Sequence, residues 1–284
     1  MPDNPTLSDE LIKIVGKENF TDSKLDILSY SSDMAALPQE IFSLYGFREP
    51  DYIITPSSTE QIGSIMQLAN RRNVPITVRG GASTGYGGSV PVNGGIVLDL
   101  TGMKQIQEID EEKRTIIVQS GITWKELIDI LAKKGFQPGI YPSSAYTATV
   151  GGLVSTGGSA GLGAPKYGSI EMQILNLEVV LPSGKTINTA SEGIPNTDIG
   201  ANSHSIFVGA EGIFGIVTEV TLRIYQKGDD FEALAVAFKD FEDGWKAMDK
   251  LLKEGVTPHT LHLMDRQFLD NLRTVEEKTP KEEA

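Results

Sequence analysis

Two glycine-rich runs are the part of this 284-residue sequence whose residue types point most directly to chemistry. Residues 78–88 read VRGGASTGYGG, and residues 151–168 read GGLVSTGGSAGLGAPKYG. Residues 80–95 and 151–168 together hold fourteen of the 30 glycines. Glycine weakens helices and strands, so such runs need a reason. Two reasons compete: mobile surface loops, or backbone that must lie against a ligand.

The first run and the later PSGKT stretch both depart from the nucleotide-binding motifs that they resemble. The Rossmann pattern GxGxxG breaks because Val90 stands where its third glycine belongs and a strand follows. The P-loop pattern ends correctly at PSGKT, residues 182–186, but Val179 occupies its first position and both flanks favour strands. We interpret PSGKT as a hairpin turn.

The GxSxG nucleophile elbow of α/β-hydrolases is formally present at residues 157–161, with Ser159 as its nucleophile. An elbow requires a strand before the serine, a helix after it, and an acid and a histidine further on. Histidines follow in the chain, but the residues after Ser159 include two glycines and a proline, which disfavour a helix. A serine hydrolase stays open as an alternative.

What remains is an anion site built mainly from backbone. Successive small residues can turn several N–H groups into one concavity that binds a pyrophosphate. Arg79 would add a cation, although a surface or capping arginine fits the same position, and Ser83 and Thr84 would donate hydroxyls. The residues alone therefore predict a phosphate-bearing cofactor bound by two glycine-rich loops.

The elements that must position these loops alternate between strands and helices. Residues 7–32 predict one or two short helices, with Ser8 as a cap. Strands are predicted at DYIIT, VPITV, GGIVLDL, TIIVQSG, in both arms of ILNLEVVLPSGKTIN and along IFGIVTEVTLRIY. Helices are predicted at PSSTEQIGSIMQLANRRN, capped by Ser57 or Ser58, and at TWKELIDILAKKG. From Phe231 the pattern changes to strand, helix, strand, helix, which predicts the start of a second small α+β unit.

Composition limits the partners and the chemistry. A net charge of -13 argues against a nucleic-acid backbone or an anionic membrane as partner. The absence of cysteine excludes disulfides, thiolate metal sites, iron–sulfur clusters and a cysteine nucleophile within this chain. No apolar run approaches the ~20 residues of a transmembrane helix. We expect a cytoplasmic protein with no transmembrane segment.

Four motifs in their order along the chain resemble the FAD-binding domain of the vanillyl-alcohol oxidase superfamily, the PCMH-type FAD-linked oxidases. They are PSSTEQI…NVPITVRGGASTGYGGSVP, YPSSAYTATVGGLVSTGGSAGLGAPKYGS, NLEVVLPSGKTI and VGAEGIFGIVTEVTLRI. Within that superfamily the chain looks most similar to the branch that contains the flavin subunit of glycolate oxidase and the D-lactate dehydrogenases. The similarity runs from about residue 30 to residue 225.

The resemblance implies an α+β fold: a two-lobed FAD-binding domain followed by a truncated, ferredoxin-like α+β cap. The implied boundaries are an N-terminal helical segment at 1–48, the FAD domain at 49–228 with lobes of about 49–120 and 121–228, and a partial cap at 229–284. The implied cofactor-binding residues are Arg79, Gly80, Gly81, Ala82, Ser83, Thr84, Gly85, Pro142, Ser143, Ser144, Thr149, Gly151, Gly152, Gly157, Gly158, Glu211, Gly215, Ile216 and Val217.

The implied function is an FAD-dependent oxidoreductase acting on CH–OH groups, as the flavin-bearing part of a D-lactate or glycolate dehydrogenase. Some relatives attach FAD to a histidine; Ala82 and Ser83 stand at that place here, so we expect non-covalent FAD. Relatives continue through a longer cap, so we expect a second polypeptide that completes the cap or accepts electrons. A redox subunit without its own substrate pocket is the alternative.

The sequence assigns no catalytic residue. His259 and His262 have HxxH spacing, but the alternation around them predicts a strand, which would point the two rings to opposite faces. No metal site is therefore expected. His204 follows Ala-Asn-Ser and is expected at the surface of a loop.

Overall fold

The computed structural model describes residues 5–34, 48–158, 161–190, 203–228 and 231–278 and contains two β-sheets with helices packed against them. The first sheet has the order β1-β2-β4-β3, in which β2, β4 and β3 run parallel and β1 is antiparallel. Its strands are β1 (Phe20–Thr21), β2 (Tyr52–Ile54), β3 (Ile76–Arg79) and β4 (Ile96–Asp99), and its helices are α1 (Leu7–Val15), α2 (Lys24–Tyr30) and α3 (Thr59–Arg72).

Helix α3 shows how local sequence defines these elements. Ser58 caps its first turn by accepting the N–H of Gln61, as predicted, and Asn73 ends it in a left-handed conformation with φ 52°. The buried face includes Ile62, Ile65 and Ala69. Helix α1 is capped by Thr6 and not, as predicted, by Ser8: the Thr6 hydroxyl accepts the N–H of Asp9, and the Asp9 carboxylate accepts the N–H of Thr6.

The second sheet is antiparallel and has the order β5-β6-β10-β8-β9, with β7 paired to the end of β10. Strand β10, with 11 residues, is central because it pairs with β6, β7 and β8. The strands are β5 (Ile106–Asp110), β6 (Thr115–Gln119), β7 (Phe136–Pro138), β8 (Ile174–Val180), β9 (Thr186–Asn188) and β10 (Ile216–Gln226). The helices are α4 (Trp124–Lys133), α5 (Val150–Thr156), α6 (Ala164–Tyr167) and α7 (Ile170–Gln173). Short 3₁₀ turns occupy Lys17–Asn19, Leu100–Gly102 and Ser203–Ile206.

Sheet membership corrects the predicted boundary between the lobes. Strands β5 and β6 precede residue 120, yet both belong to the second sheet. The division between the sheets therefore lies before Ile106 and not near residue 120. Sequence patterning missed this because strand periodicity does not reveal which strands pair.

The two lobes meet where α3 packs on the β8–β9 hairpin. The approach is close: a Cβ on Gly63 would lie 2.9 Å from the Gly184 carbonyl oxygen. Thr59 donates a hydrogen bond of 2.7 Å to the carboxylate of Glu178, and that carboxylate also accepts one from Thr218. The PSGKT turn thus has a structural role, as the surface on which α3 rests.

The C-terminal part contains the two predicted helices, α8 (Phe241–Lys253) and α9 (Arg266–Lys278). The two strands predicted around them do not form: the segments 231–240 and 256–265 have no ladder partner within the described residues. An isolated extended segment leaves its N–H and C=O groups unpaired, so periodicity alone cannot make it a strand. Gly244 of α8 is buried under Phe238 and Leu263.

The salt bridges lie on the surface, such as Arg72–Glu10 at 2.9 Å, and contribute little to stability. Across the described ranges, no helix combines the length and the apolar character that crossing a bilayer requires.

Candidate cofactor-binding site

A cavity of about 430 Å³ opens where the two lobes meet. Residues on the carboxyl side of β3 and β4, the start of α5 and the start of β10 surround it. Its volume lies in the range of about 300–1,000 Å³ that is usual for ligand sites. The lining residues are Val78, Gly80, Gly81, Ala82, Ser83, Thr84, Tyr86, Gly88, Ser89, Leu100, Ser120, Pro142, Ser144, Ala148, Thr149, Gly151, Gly152, Leu153, Ser155, Thr156, Gly158, Glu211, Gly212, Gly215, Ile216 and Val217.

The first glycine run is the loop that leaves β3 and forms one wall. Ala82 and Gly87 adopt positive φ angles of 48° and 80°. The N–H groups of residues 81–88 donate no hydrogen bond to any acceptor in the part of the chain that the structure describes. A row of unpaired backbone donors beside a cavity fits an anionic or polar ligand.

The second glycine run packs directly against the first. A Cβ on Gly81 would overlap the carbonyl oxygen of Thr147, and one on Gly80 would overlap the hydroxyl of Thr149. Gly151 lies equally close to Ser120. The sequence predicted that these glycines leave room for phosphates, but their nearest neighbours are protein atoms. They let the two loops touch and so form the cavity.

Thr149 links the loop to the helix that follows. Its hydroxyl accepts the N–H of Gly152 at 3.2 Å and caps α5, and its side chain is almost fully buried. Gly157 ends α5 in a left-handed conformation with φ 67°, against Gly209. Gly157 therefore supports the wall without lining the cavity.

Glu211 supplies the cavity's one charged side chain among the described lining residues. Its backbone has a positive φ of 50°, and its N–H donates to the Ser155 carbonyl at 2.9 Å. A non-glycine residue held in this region is strained, and such strain concentrates at functional sites. The opposite wall is near, since a Cβ on Gly88 would lie 3.4 Å from a Glu211 carboxylate oxygen.

Most of the predicted cofactor-binding residues line this single cavity, and four do not. The exceptions are Arg79, Gly85, Ser143 and Gly157. Arg79 corrects a specific expectation, because its guanidinium lies 4.8 Å from the Tyr30 ring centroid and donates to the carbonyls of Tyr30 and Ser32. The capping interpretation of this arginine is the right one.

Sequence reasoning missed several lining residues. Tyr86 and Gly88 lie in the first run, Ser89 directly follows it, and Ser155 and Thr156 lie in the second run, so the runs themselves were the available signal. Ser120 and Leu100 carried no such signal. They follow β6 and β4, and only the meeting of the two sheets brings them to the cavity.

The histidines do not form part of this lining. His204 was predicted at the surface, but it is buried, and burial lowers the pKa of its imidazole while Glu171 opposes the shift. His259 packs against Phe231, Tyr141 and Tyr167, and its pKa is lowered first by burial and then by Lys166. The described residues hold no cluster of three or more histidines and carboxylates that could bind a metal.

The lining fits the cofactor that the resemblance implies. FAD presents a pyrophosphate and hydroxyl-bearing ribose and ribityl groups between two aromatic ring systems whose faces are apolar. The cavity offers the N–H donors of residues 81–88, which have no acceptor within the described ranges, several hydroxyls, and apolar surface from Leu100, Ile216 and Val217. Ser89 and Ser120 are buried with hydroxyls that have no hydrogen-bond partner among the described residues.

Comparison with known proteins agrees with this fit. Residues 50–190 match the family model described as FAD binding domain. The chain carries the FAD-binding domain of the PCMH-type FAD-linked oxidase superfamily. The matched range of this FAD-binding domain includes the GxSxG stretch. Ser159 itself lies outside the described residues.

Curated relatives of the chain include two proteins that are named for a 2-hydroxy acid. It is 32% identical over 263 residues to glycolate oxidase subunit GlcD of Bacillus subtilis, covering 93% of this chain and 54% of the relative. It is 32% identical over 218 residues to D-lactate dehydrogenase of Archaeoglobus fulgidus, covering 77% of this chain and 48% of the relative. The chain thus spans about half the length of the curated relatives it matches.

Solved structures share the fold. An alkyldihydroxyacetonephosphate synthase superposes with a TM-score of 0.74 at 27% identity, over 92% of this chain and 48% of that chain. A p-cresol methylhydroxylase superposes with a TM-score of 0.71 at 22% identity, over 88% of this chain and 50% of that chain. The mixed α+β fold predicted from the sequence is confirmed.

Proposed function

We propose that this chain is the flavin-bearing part of an FAD-dependent oxidoreductase that oxidises a D-2-hydroxy acid such as D-lactate or glycolate. The observation that carries the proposal is the cavity between the glycine loops, within a matched FAD-binding domain. The names of the two curated relatives support the choice of substrate class.

In this proposal the predicted residues hold FAD without a covalent bond. The N–H groups of the first loop, residues 81–88, face the pyrophosphate together with Ser83 and Thr84. Glu211 accepts hydrogen bonds from ribose or ribityl hydroxyls, since a carboxylate would repel a phosphate. Bound FAD supplies a flavin N5 that accepts hydride.

The described residues leave the substrate side of the reaction open. Oxidising a 2-hydroxy acid also requires a base for the hydroxyl proton and a cation for the carboxylate. No lysine, arginine or histidine is among the described residues that line the cavity. This observation favours a second candidate, a redox subunit that binds FAD and has no substrate pocket of its own.

The C-terminal helices support the proposal that more polypeptide completes the cap. Phe241, Trp245 and Leu252 follow one face of α8 and are each about half exposed, and Phe268 and Leu272 do the same on α9. Exposed apolar side chains that follow one helix face are typical of an interface. We propose that it is covered by cap sequence like that of the longer relatives, from the same or a second polypeptide.

Spectroscopy tests these proposals in order. The purified chain, reconstituted with FAD, should show oxidised-flavin absorbance that denaturation releases into solution; a protein without such bands would contradict flavin binding. Anaerobic D-lactate or glycolate should bleach the bands once the cap is complete. Flavin that stays oxidised with every 2-hydroxy acid would leave the redox-subunit alternative. The cytoplasmic location stays a prediction, which cell fractionation would test.

A further inference from the structure

Two serines on the cavity wall combine deep burial with unused hydrogen-bonding capacity. Ser89 is 9% exposed and Ser120 is 1% exposed, and both line the cavity. Neither hydroxyl has a hydrogen-bond partner in the described ranges. Buried polar groups are almost always paired, so two orphans on one cavity require an explanation.

The backbone around each serine is already fixed, which leaves only the hydroxyl unused. The Ser120 N–H donates to the Thr218 carbonyl at 2.9 Å, and the Ser120 carbonyl accepts from Gly151 at 2.8 Å. Ser89 lies inside a turn closed by a 3.1 Å hydrogen bond from the Val90 N–H to the Gly87 carbonyl. Local structure therefore accounts for the positions of these residues but not for their side chains.

Two threonine hydroxyls on the same wall are engaged within the protein. Thr149 accepts the N–H of Gly152, and Thr156 donates to the carbonyl of Gly152. These threonines serve helix α5. The hydroxyls of Ser89 and Ser120 cap no helix and bond to no strand within the described residues. The two serines come from different lobes: Ser89 precedes β4 of the first sheet, and Ser120 follows β6 of the second.

We propose that Ser89 and Ser120 are FAD-binding residues whose hydroxyls pair with polar atoms of the cofactor, one from each lobe. This inference rests on the proposed function and deepens it. Binding then satisfies two buried groups that the described residues leave unpaired, so FAD joins the lobes as well as filling the space between them.

The test compares cofactor affinity with the stability of the cofactor-free protein. Ser89→Ala, Ser120→Ala and the double variant are prepared without FAD and titrated with it, using flavin fluorescence. Each single variant should raise the Kd of FAD about 3- to 10-fold, the effect of one lost hydrogen bond, and the double variant should multiply the effects. The melting temperature without FAD should stay the same or rise, because alanine removes an unpaired buried group.

Ser64→Ala is the matched control. Its hydroxyl donates to the Glu60 carbonyl on the exposed side of α3, away from the cavity, so the Kd of FAD should not change.

Two results would overturn the inference while the proposed function stands: wild-type affinity in both single variants, or a lower melting temperature of the FAD-free variants, which would show a structural partner such as bound water. A wild-type protein that does not bind FAD would overturn the proposed function itself, and the inference with it.

Discussion

The phenol of Tyr30 donates a hydrogen bond of 2.5 Å to the carboxylate of Asp99, which is 69 residues away in the chain. Asp99 is the last residue of β4 and lies beside Arg79, the last residue of β3, in parallel register. Arg79 in turn stacks on the Tyr30 ring. The contacts of Tyr30 with Asp99 and Arg79 hold the end of α2 against the carboxyl ends of β3 and β4. From these strand ends Gly80 and Leu100 continue into the cavity wall.

Removing the Tyr30 hydroxyl should destabilise the fold. In Tyr30→Phe the nearly buried Asp99 loses its phenol donor but keeps the N–H of Thr101. We expect a loss of about 1 kcal/mol in the free energy of unfolding, measured by urea denaturation. Tyr146→Phe, at a 76% exposed position, is the control and should change nothing. Equal stability of the Tyr30 variant and the wild type would contradict a stabilising bond.

Alkaline pH should weaken the same contact. Burial, followed by the hydrogen bond to Asp99 and its charge, raises the pKa of Tyr30 to about 12 from its ordinary 10.0. A raised pKa means that the folded state favours the neutral phenol. Its contribution is therefore complete below pH 10 and is lost as the pH rises through 12. The difference in unfolding free energy between wild type and Tyr30→Phe should shrink over that interval. A difference that stays constant would show that the phenol's ionisation is not linked to folding.

Gly81 should tolerate no side chain, whereas Gly88 in the same loop should. A Cβ at position 81 would overlap the Thr147 carbonyl, so Gly81→Ala should force the two loops apart at a cost of about 1–3 kcal/mol and weaken FAD retention. At position 88 the nearest atom would lie 3.4 Å away on the flexible Glu211 side chain. The free energy of unfolding of Gly88→Ala should lie within about 0.5 kcal/mol of the wild-type value. Thermal melts compare the two; equal stability of both variants would rule out close loop packing as the reason for glycine at 81.

Acid should destabilise the packing around His259. Burial, with Lys166 nearby, lowers the pKa of this imidazole below its ordinary 6.5. The folded state therefore favours the neutral ring, and stability should fall as the pH drops below 6.5, where the unfolded chain binds the proton more readily. His259→Phe keeps an aromatic ring against Phe231 and should lose less stability between about pH 7 and pH 5. His262→Gln, at an exposed position, should follow the wild-type profile. Parallel profiles for wild type and His259→Phe would contradict the prediction.

Much of the cavity lining was predictable because a run of glycines indicates, within a short stretch of sequence, that the backbone must adopt unusual conformations or approach other atoms closely. The runs at 80–88 and 151–158 contain most of the residues that line the cavity, and the motif around Glu211 contains several of the others. The reason for the glycines was predicted only in part. Gly80 and Gly81 were assigned to phosphates, but contacts with Thr149 and Thr147 exclude a side chain there even without a ligand.

The sequence by itself determined the longer helices such as α3 and α4, a phosphate-bearing cofactor and the order of the motifs, because periodicity, caps and glycine runs act over a few residues. Only the tertiary structure decided which strands share a sheet, that His204 is buried, that Arg79 stacks on Tyr30, and that Ser120 reaches the cavity. These outcomes depend on contacts between residues far apart in the chain. The segments 231–240 and 256–265 show the same dependence on distant contacts. Their alternating pattern predicted strands, but these strands did not form because no neighbouring strand within the described residues pairs with them.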